Sequence, residues 1–237
     1  MRRIILAVIF LGLTTSAFAS NDINNLPALT QSQFHDLSAD LGAVLSFKQL
    51  QSAEAEGITG FDLGLDLSST NVAHAAAWNT ATSGSGVTTI PMARVSLSKG
   101  LPFGFDIGGF YSGATNSNIK DYGAELRYAI VDDGVLTPAV GLRAAFSRLT
   151  GVDQLSFGTK SLSLSVSKSL GPFIPYAGIG RVWINSNPAA STGLQDENFT
   201  ADETFVGLAF QFGVHLAFEL NRTAGNNTYS VKLGFGF

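Results

Sequence analysis

From Ile58 onward, apolar side chains fall at every second position along a series of short segments. Phe61, Leu63, Leu65 and Leu67 share one face, opposed by Asp62, Gly64 and Asp66. Ala93, Val95 and Leu97 oppose Arg94, Ser96 and Ser98, and Phe103, Phe105, Ile107, Gly109 and Tyr111 oppose Gly104, Asp106 and Gly108. Tyr122, Ala124, Leu126, Tyr128 and Ile130 oppose Asp121, Gly123, Glu125 and Arg127, while Val140, Leu142, Ala144 and Phe146 oppose Gly141, Arg143 and Ala145. Leu162, Leu164 and Val166 alternate with serines, and Val206, Leu208, Phe210 and Phe212 alternate with Gly207, Ala209 and Gln211. Side chains of a strand alternate faces, so a period of two this persistent predicts strands with one apolar and one polar or small face. The Tyr176 to Ile184 segment is strand-like, but Arg181 shares parity with Ile179 and Trp183, and its faces stay unassigned.

Connections between these segments fall into two groups. Lys99 to Pro102, Val131 to Gly134 and Leu170 to Pro172 carry the Gly, Pro and Asp of tight turns. Ser69 to Val87, Gly113 to Asn118, Thr150 to Gln154 and Asn185 to Glu203 are longer and polar. Short turns on one side and long loops on the other are the plan of a transmembrane antiparallel up-and-down β-barrel, with the long loops outside the cell. The run from Thr204 to Leu220 exceeds the roughly 9–11 residues of one tilted crossing. Splitting it at Phe212-Gly213-Val214 gives ten strands from Ile58 to Phe237 and places both termini in the periplasm. Residues 20–57 break the pattern. Gln31 to Leu41 has helical spacing behind Thr30 as a cap, and Gly42 to Leu50 alternates loosely. The segment is read as a periplasmic or lumen-plugging extension, with two further strands, making twelve, as the alternative.

The two ends point to the same address. Met1-Arg2-Arg3, an apolar run from Ile4 to Leu13 and a small-residue stretch ending Ala17-Phe18-Ala19 read as a signal peptide over residues 1–19. Tyr229, Val231, Leu233, Phe235 and Phe237 lie on one face of the last segment. That ending resembles the C-terminal assembly signal of Gram-negative outer-membrane barrels, although Lys232 stands where many such signals carry glycine. The resemblance implies the barrel-assembly machinery and outer-membrane lipids as partners.

Composition narrows the chemistry. With no cysteine, a disulfide scaffold or a thiolate metal site is excluded. A net charge of −4 gives no reason to expect nucleic acid. The expected lumen lining comprises Asp62, Asp66, Asp106, Asp121, Glu125 and Glu219 with Arg94, Arg127, Arg143 and Lys232. These residues read either as a charge-selective pore lining or as a salt-bridged filling of a narrow barrel; mixed signs favour the filling. Catalysis has little support: the histidines are His35, His74 and His215, and no acid or serine motif adjoins His74 in the sequence. No metal site or cofactor is expected. Trp78, Trp183, Tyr111, Tyr122 and Phe146, with Phe199 and Phe205, are candidates for an aromatic girdle.

Gly60 to Leu65, Lys99 to Gly104 and Tyr122 to Tyr128 resemble segments of uncharacterised proteobacterial outer-membrane barrel proteins. The resemblance covers most of the chain after about Leu41. It implies fold and location, and transfers no functional residue. The resulting expectation is a monomeric, non-enzymatic outer-membrane barrel, structural or passing or binding a small solute or lipid. A barrel enzyme hydrolysing lipid or peptide at the cell surface is the alternative.

Overall fold

A computed structural model describes residues 21–211 and 214–236. The signal peptide over residues 1–19, the Phe212-Gly213 part of the split and Phe237 lie outside the described residues. Helix α1 spans Gln31–Leu45 and α2 spans Ala75–Ala81. The strands are β1 (Phe61–Asn71), β2 (Thr89–Gly100), β3 (Phe105–Ala114), β4 (Lys120–Val131) and β5 (Ala139–Thr150), followed by β6 (Leu155–Ser167), β7 (Phe173–Pro188), β8 (Glu197–Gln211), β9 (His215–Thr223) and β10 (Asn226–Gly236). Each pairs antiparallel with its sequence neighbours, and β1 closes on β10, giving a ten-strand barrel. Closure leaves no unpaired edge, so every strand's backbone is satisfied without water.

Side-chain polarity inverts that of a soluble protein. Leu63, Leu65, Leu67, Val95, Leu97, Ile107, Leu126, Phe218 and Leu233 face outward and are about half exposed. Inward neighbours such as Asp66, Ser98, Arg143, Ser165 and Lys232 are buried. An unbroken outer apolar belt around a polar interior is the pattern of a membrane-spanning barrel. On β7 the faces are now assigned: Ile179, Arg181 and Trp183 point outward, and Arg181 meets Asp202 of β8 at 2.7 Å.

Several expected boundaries move. The long connection at Asn185 to Glu203 shrinks to residues 189–196, because β7 and β8 continue well past the apolar belt. Phe103 and Gly104 are turn rather than strand residues; both have positive φ, +66° and +77°, and the Phe103 side chain is almost fully exposed. At this short-turn end Lys168 Nζ donates to Asp133 Oδ1 at 2.7 Å, and Ser169 N–H donates to Oδ2 at 3.0 Å. The Lys168 hydrogen bond holds the Asp133 carboxyl below the usual carboxylate range.

The residues before β1 lie inside the barrel. Thr30 caps α1 in a reciprocal box: its Oγ1 accepts from Gln33 N–H at 3.3 Å, and its own N–H donates to Gln33 Oε1 at 3.0 Å. Helix geometry continues to Leu45, so the strand reading of Gly42 to Leu50 is overturned. Two further wall strands are therefore absent among the described residues. Gly42 lets α1 approach the wall closely: an added Cβ would lie 2.2 Å from Ile184 Cδ1 and force that side chain to shift. Asn21 N–H bonds Asn116 O, and the Asn24 and Asn25 N–H groups reach Ala81 O. These contacts pin the start of the segment to the long-loop end, opposite the start of β1, whereas the sequence reading put both chain ends at the short turns.

Candidate functional site

The site is the lumen and the segment threaded through it, which descends through three environments. At the long-loop end β1, β9 and β10 present Thr70, Thr223 and Thr228 inward, while the inward positions on β2 and from β4 to β7 are mainly apolar: Ile90, Met92, Ile119, Leu149, Leu155, Phe157, Val182 and Ile184. Against them pack Phe34, Leu37, Leu41, Val44 and Leu45 of α1 and Trp78 of α2. Fully burying each large side chain stabilises the packing by about 1.5–3 kcal/mol, so this layer is a dry core. One buried carboxylate organises it. Asp40 Oδ2 accepts from Trp78 Nε1 at 2.9 Å and from His74 N–H at 3.0 Å, while Oδ1 lies 2.8 Å from His74 Nδ1. Asp36 stands 3.7 Å from the other ring nitrogen. His74 thus has two acids beside it, one helical turn apart on α1, that adjacency in sequence could not reveal. Trp78, expected in the girdle, is fully buried in this clasp; Phe205, expected there too, points into the lumen.

The middle layer centres on Phe47. Its ring lies between the Arg94 and Arg143 guanidiniums, at 5.2 and 4.9 Å from the centroid, and meets Phe110 edge-on at 5.3 Å. Arg94 also covers Phe110 at 4.1 Å. Such contacts attract a cation to the face of a ring. Arg143 donates to Ser163 Oγ and stands 3.9 Å from Glu203. Lys48 Nζ turns back onto the helix end, donating to Ala43 O at 2.8 Å and Ser46 Oγ at 2.6 Å. A cation on those last carbonyls complements the negative end of the helix dipole. Glu219 accepts from Leu50 N–H at 3.0 Å and Tyr176 Oη–H at 3.1 Å.

The lowest layer is ionic. Arg127 bridges Glu56 at 2.7 Å and Asp106 at 3.1 Å, with Glu125 at 3.9 Å. Ser98 donates to Glu56, and Glu56 N–H donates to Asp106 Oδ1 at 3.0 Å. Asp62 pairs with Lys232 across the β1–β10 seam and with His215 Nδ1 at 2.5 Å. Higher in the barrel, Asp66 accepts from Ser96 opposite Arg94, and Asp121 accepts from Ser112 opposite Leu149 near the long-loop end. Between this layer and the short-turn mouth lies a cavity of about 440 Å³, bordered by Gln51, Glu54, Asp62, Arg127, His215 and Lys232.

All ten lumen residues named from the sequence are buried, but they form separate groups rather than one centre. Tyr229, Val231, Leu233 and Phe235, the described part of the closing-strand face, point outward. Reasoning from periodicity missed Lys48 and Glu56, which lie in the aperiodic segment, and Glu203, which was assigned to a loop. Extending the parity of Val206 and Leu208 backwards would have placed Glu203 inside. Among the described residues the wall carries seven buried inward acids (Asp62, Asp66, Asp106, Asp121, Glu125, Glu203 and Glu219) against Arg94, Arg127, Arg143 and Lys232. The threaded segment donates the backbone N–H of Leu50 to Glu219 and of Glu56 to Asp106, while Lys48 is held on the end of α1 and the Glu56 carboxylate joins Arg127. Among the described residues no group of three His, Asp or Glu could hold a metal ion.

The fold and site define a plugged β-barrel. No family model matches the chain, and no curated protein matches it. Solved structures to which it is similar are outer-membrane barrels. A loop L8 deletion mutant of OmpT, an outer membrane protein of Vibrio cholerae, shares 13% identity over 63% of this chain and 54% of its own, with a TM-score of 0.33. KdgM porin shares 11% over 75% of this chain and 99% of its own, TM-score 0.34. The translocator domain of autotransporter NalP from Neisseria meningitidis shares 9% over 75% and 87%, TM-score 0.40. This chain therefore spans about half the length of the OmpT variant. No role is carried over from any of them.

Proposed function

We propose that this protein is an outer-membrane barrel sealed by its own N-terminal segment, acting as a structural or small-ligand-binding element and not as an open pore. The observation that carries the reading is the filling of the lumen: α1 and residues 46–56 pack against the wall from the long-loop end to the ionic layer. The apolar belt supports the membrane address, because half-exposed leucines and phenylalanines on every side have no soluble equivalent. The outward face of Tyr229, Val231, Leu233 and Phe235 supports recognition by the assembly machinery during biogenesis. The cavity at the short-turn mouth, lined by both signs of charge, is the place for a small polar solute.

Recording the full chain in planar bilayers tests the seal. No steady conductance is expected, and a stable ohmic current through the unmodified protein would refute it. Fractionation with a heat-modifiable gel shift tests the address, which fails if the folded protein stays in the soluble fraction.

A second reading rests on the Asp40–His74 pair. An acid orienting an imidazole near the outer rim is the arrangement of a general base. Here, however, Asp40 Oδ2 also holds the loop through His74 N–H and Trp78 Nε1, which gives the pair a docking role without any reaction. Hydrolysis of a lipid or peptide substrate that disappears in His74→Ala would favour catalysis; inactivity across such substrates would discard it.

A further inference from the structure

Five of the fourteen Lys and Arg residues stand outside the barrel in one place. Lys120 of β4, Arg148 of β5, Lys160 of β6, Arg181 of β7 and Arg222 of β9 all point outward and are exposed. Each is the first outward charge beyond the apolar belt on the long-loop side. Their registers show that they lie at one level. Arg148 is two residues nearer the short turns than Thr150, the partner of Lys120, and Lys160 is two nearer than Gly158, the partner of Arg148. Arg181 is two nearer than Trp183, the partner of Lys160. Strands of a closed barrel tilt and stagger, so such a steady offset follows the rim and not the strand normal.

The aromatic residues support the same level. Tyr122 pairs with Arg148, and Trp183 with Lys160, so amphipathic rings sit where the belt gives way to charge. On the other side of the barrel, Asn227, Asn71 and Thr89 occupy the corresponding outward positions without charge. The arc is therefore one-sided. Asp202 is the single acid on the outward strand positions of this half, and it is used by Arg181. Arg148 has only a 3.4 Å contact to Ser156, and among the described residues no ion pair or hydrogen bond engages the side chains of Lys120, Lys160 or Arg222.

We propose that this arc binds the phosphate groups of lipid headgroups in the leaflet at the long-loop end, with a preference for lipids that carry phosphate monoesters. The inference rests on the membrane address proposed above. Cations fixed just beyond the acyl-chain region lie at headgroup depth, and a phosphate monoester offers several charged oxygens to more than one of them. Arg148 and Arg222 supply forked donors, while Lys120 and Lys160 act as point charges on either side of Arg148.

The test uses the full chain in vesicles of phosphatidylcholine alone, or doped with phosphatidic acid or lipopolysaccharide. Lipid retained by the folded protein is counted by native mass spectrometry. Preferential retention of the two phosphate-bearing lipids is expected. R148Q/K160Q/R222Q should lower that preference on the order of a hundredfold, about fivefold for each charge removed, and R148K/K160R/R222K should keep it. Equal retention of phosphatidylcholine, or unchanged preference in the glutamine variant, overturns the inference. So does displacement of bound lipid by inorganic phosphate, which would make the arc a site for the free anion. A heat-modifiable band scored in the same samples separates these outcomes from failure of the barrel to insert, which would instead sink the membrane address.

Discussion

The two ends of the lumen are filled by opposite chemistries, although one wall encloses both. Near the long loops the inward residues of β2, β6 and β7 are Ile90, Met92, Phe157, Val182 and Ile184, and the helix that meets them is apolar. Near the short turns the wall presents Asp62, Asp106, Arg127 and Lys232, and the same segment meets them with Glu56 and backbone donors. The difference teaches that the seal has separable parts. A dry core depends on shape, and losing a side chain there leaves a hole. An ionic layer depends on pairing, and losing one partner strands the other.

The largest effect is expected from Phe34→Ala, which empties part of the dry core. Loss of about 3–5 kcal/mol of segment docking should appear as fast amide exchange across Gln31–Leu45 while the heat-modifiable barrel persists. Equal loosening of wall and segment would erase the distinction between them. Next comes Asp40→Asn, which disrupts the acceptor shared by Trp78 and His74 and should cost about 1–3 kcal/mol. A red shift of Trp78 emission, read in a Trp183→Phe background, checks it; unchanged emission would show that α2 docks by apolar contact alone. Phe47→Leu comes third. Removing the ring between Arg94 and Arg143 should cost about 1–2 kcal/mol and be visible as a lower denaturation midpoint in detergent.

The smallest effect belongs to the short-turn rim. Because Lys168 depresses the Asp133 carboxyl, the turn–turn tie is complete above the ordinary carboxylate value of about 4 and is lost as pH falls through the lower folded value. Proteolysis within residues 132–138 should rise in that acid window, and Asp133→Asn should remove the pH dependence. A tie unaffected by either change would show that the turns hold without it.

The wall was legible in the sequence because alternation records only which way a side chain points. Leu65 outward and Asp66 inward follow from parity alone. Legibility failed wherever position depended on contacts between distant segments. The pairing of Asp40 with His74 joins residues thirty-four apart, and Phe47 finds its place only through Arg94 and Arg143. Polar outward residues also misled: Arg181 left the faces of β7 unassigned, and Thr200 and Asp202 made the start of β8 look like loop, since those strands rise above the acyl chains into an aqueous layer where apolar alternation is no longer required.

The attachment of Asn21 to Asn116 has a topological meaning. A needle's thread enters one side of the eye and leaves by the other, and here the eye is a hydrogen-bonded hoop sewn shut by β1 and β10. Residues 57–60 are tied at one mouth by the β1 strand, so the thread can back out only through the other. Biogenesis must therefore either fasten the hoop around a chain already lying across it or carry the free end through afterwards, and the start of the segment finishes on the opposite side of the bilayer from the end of the closing strand.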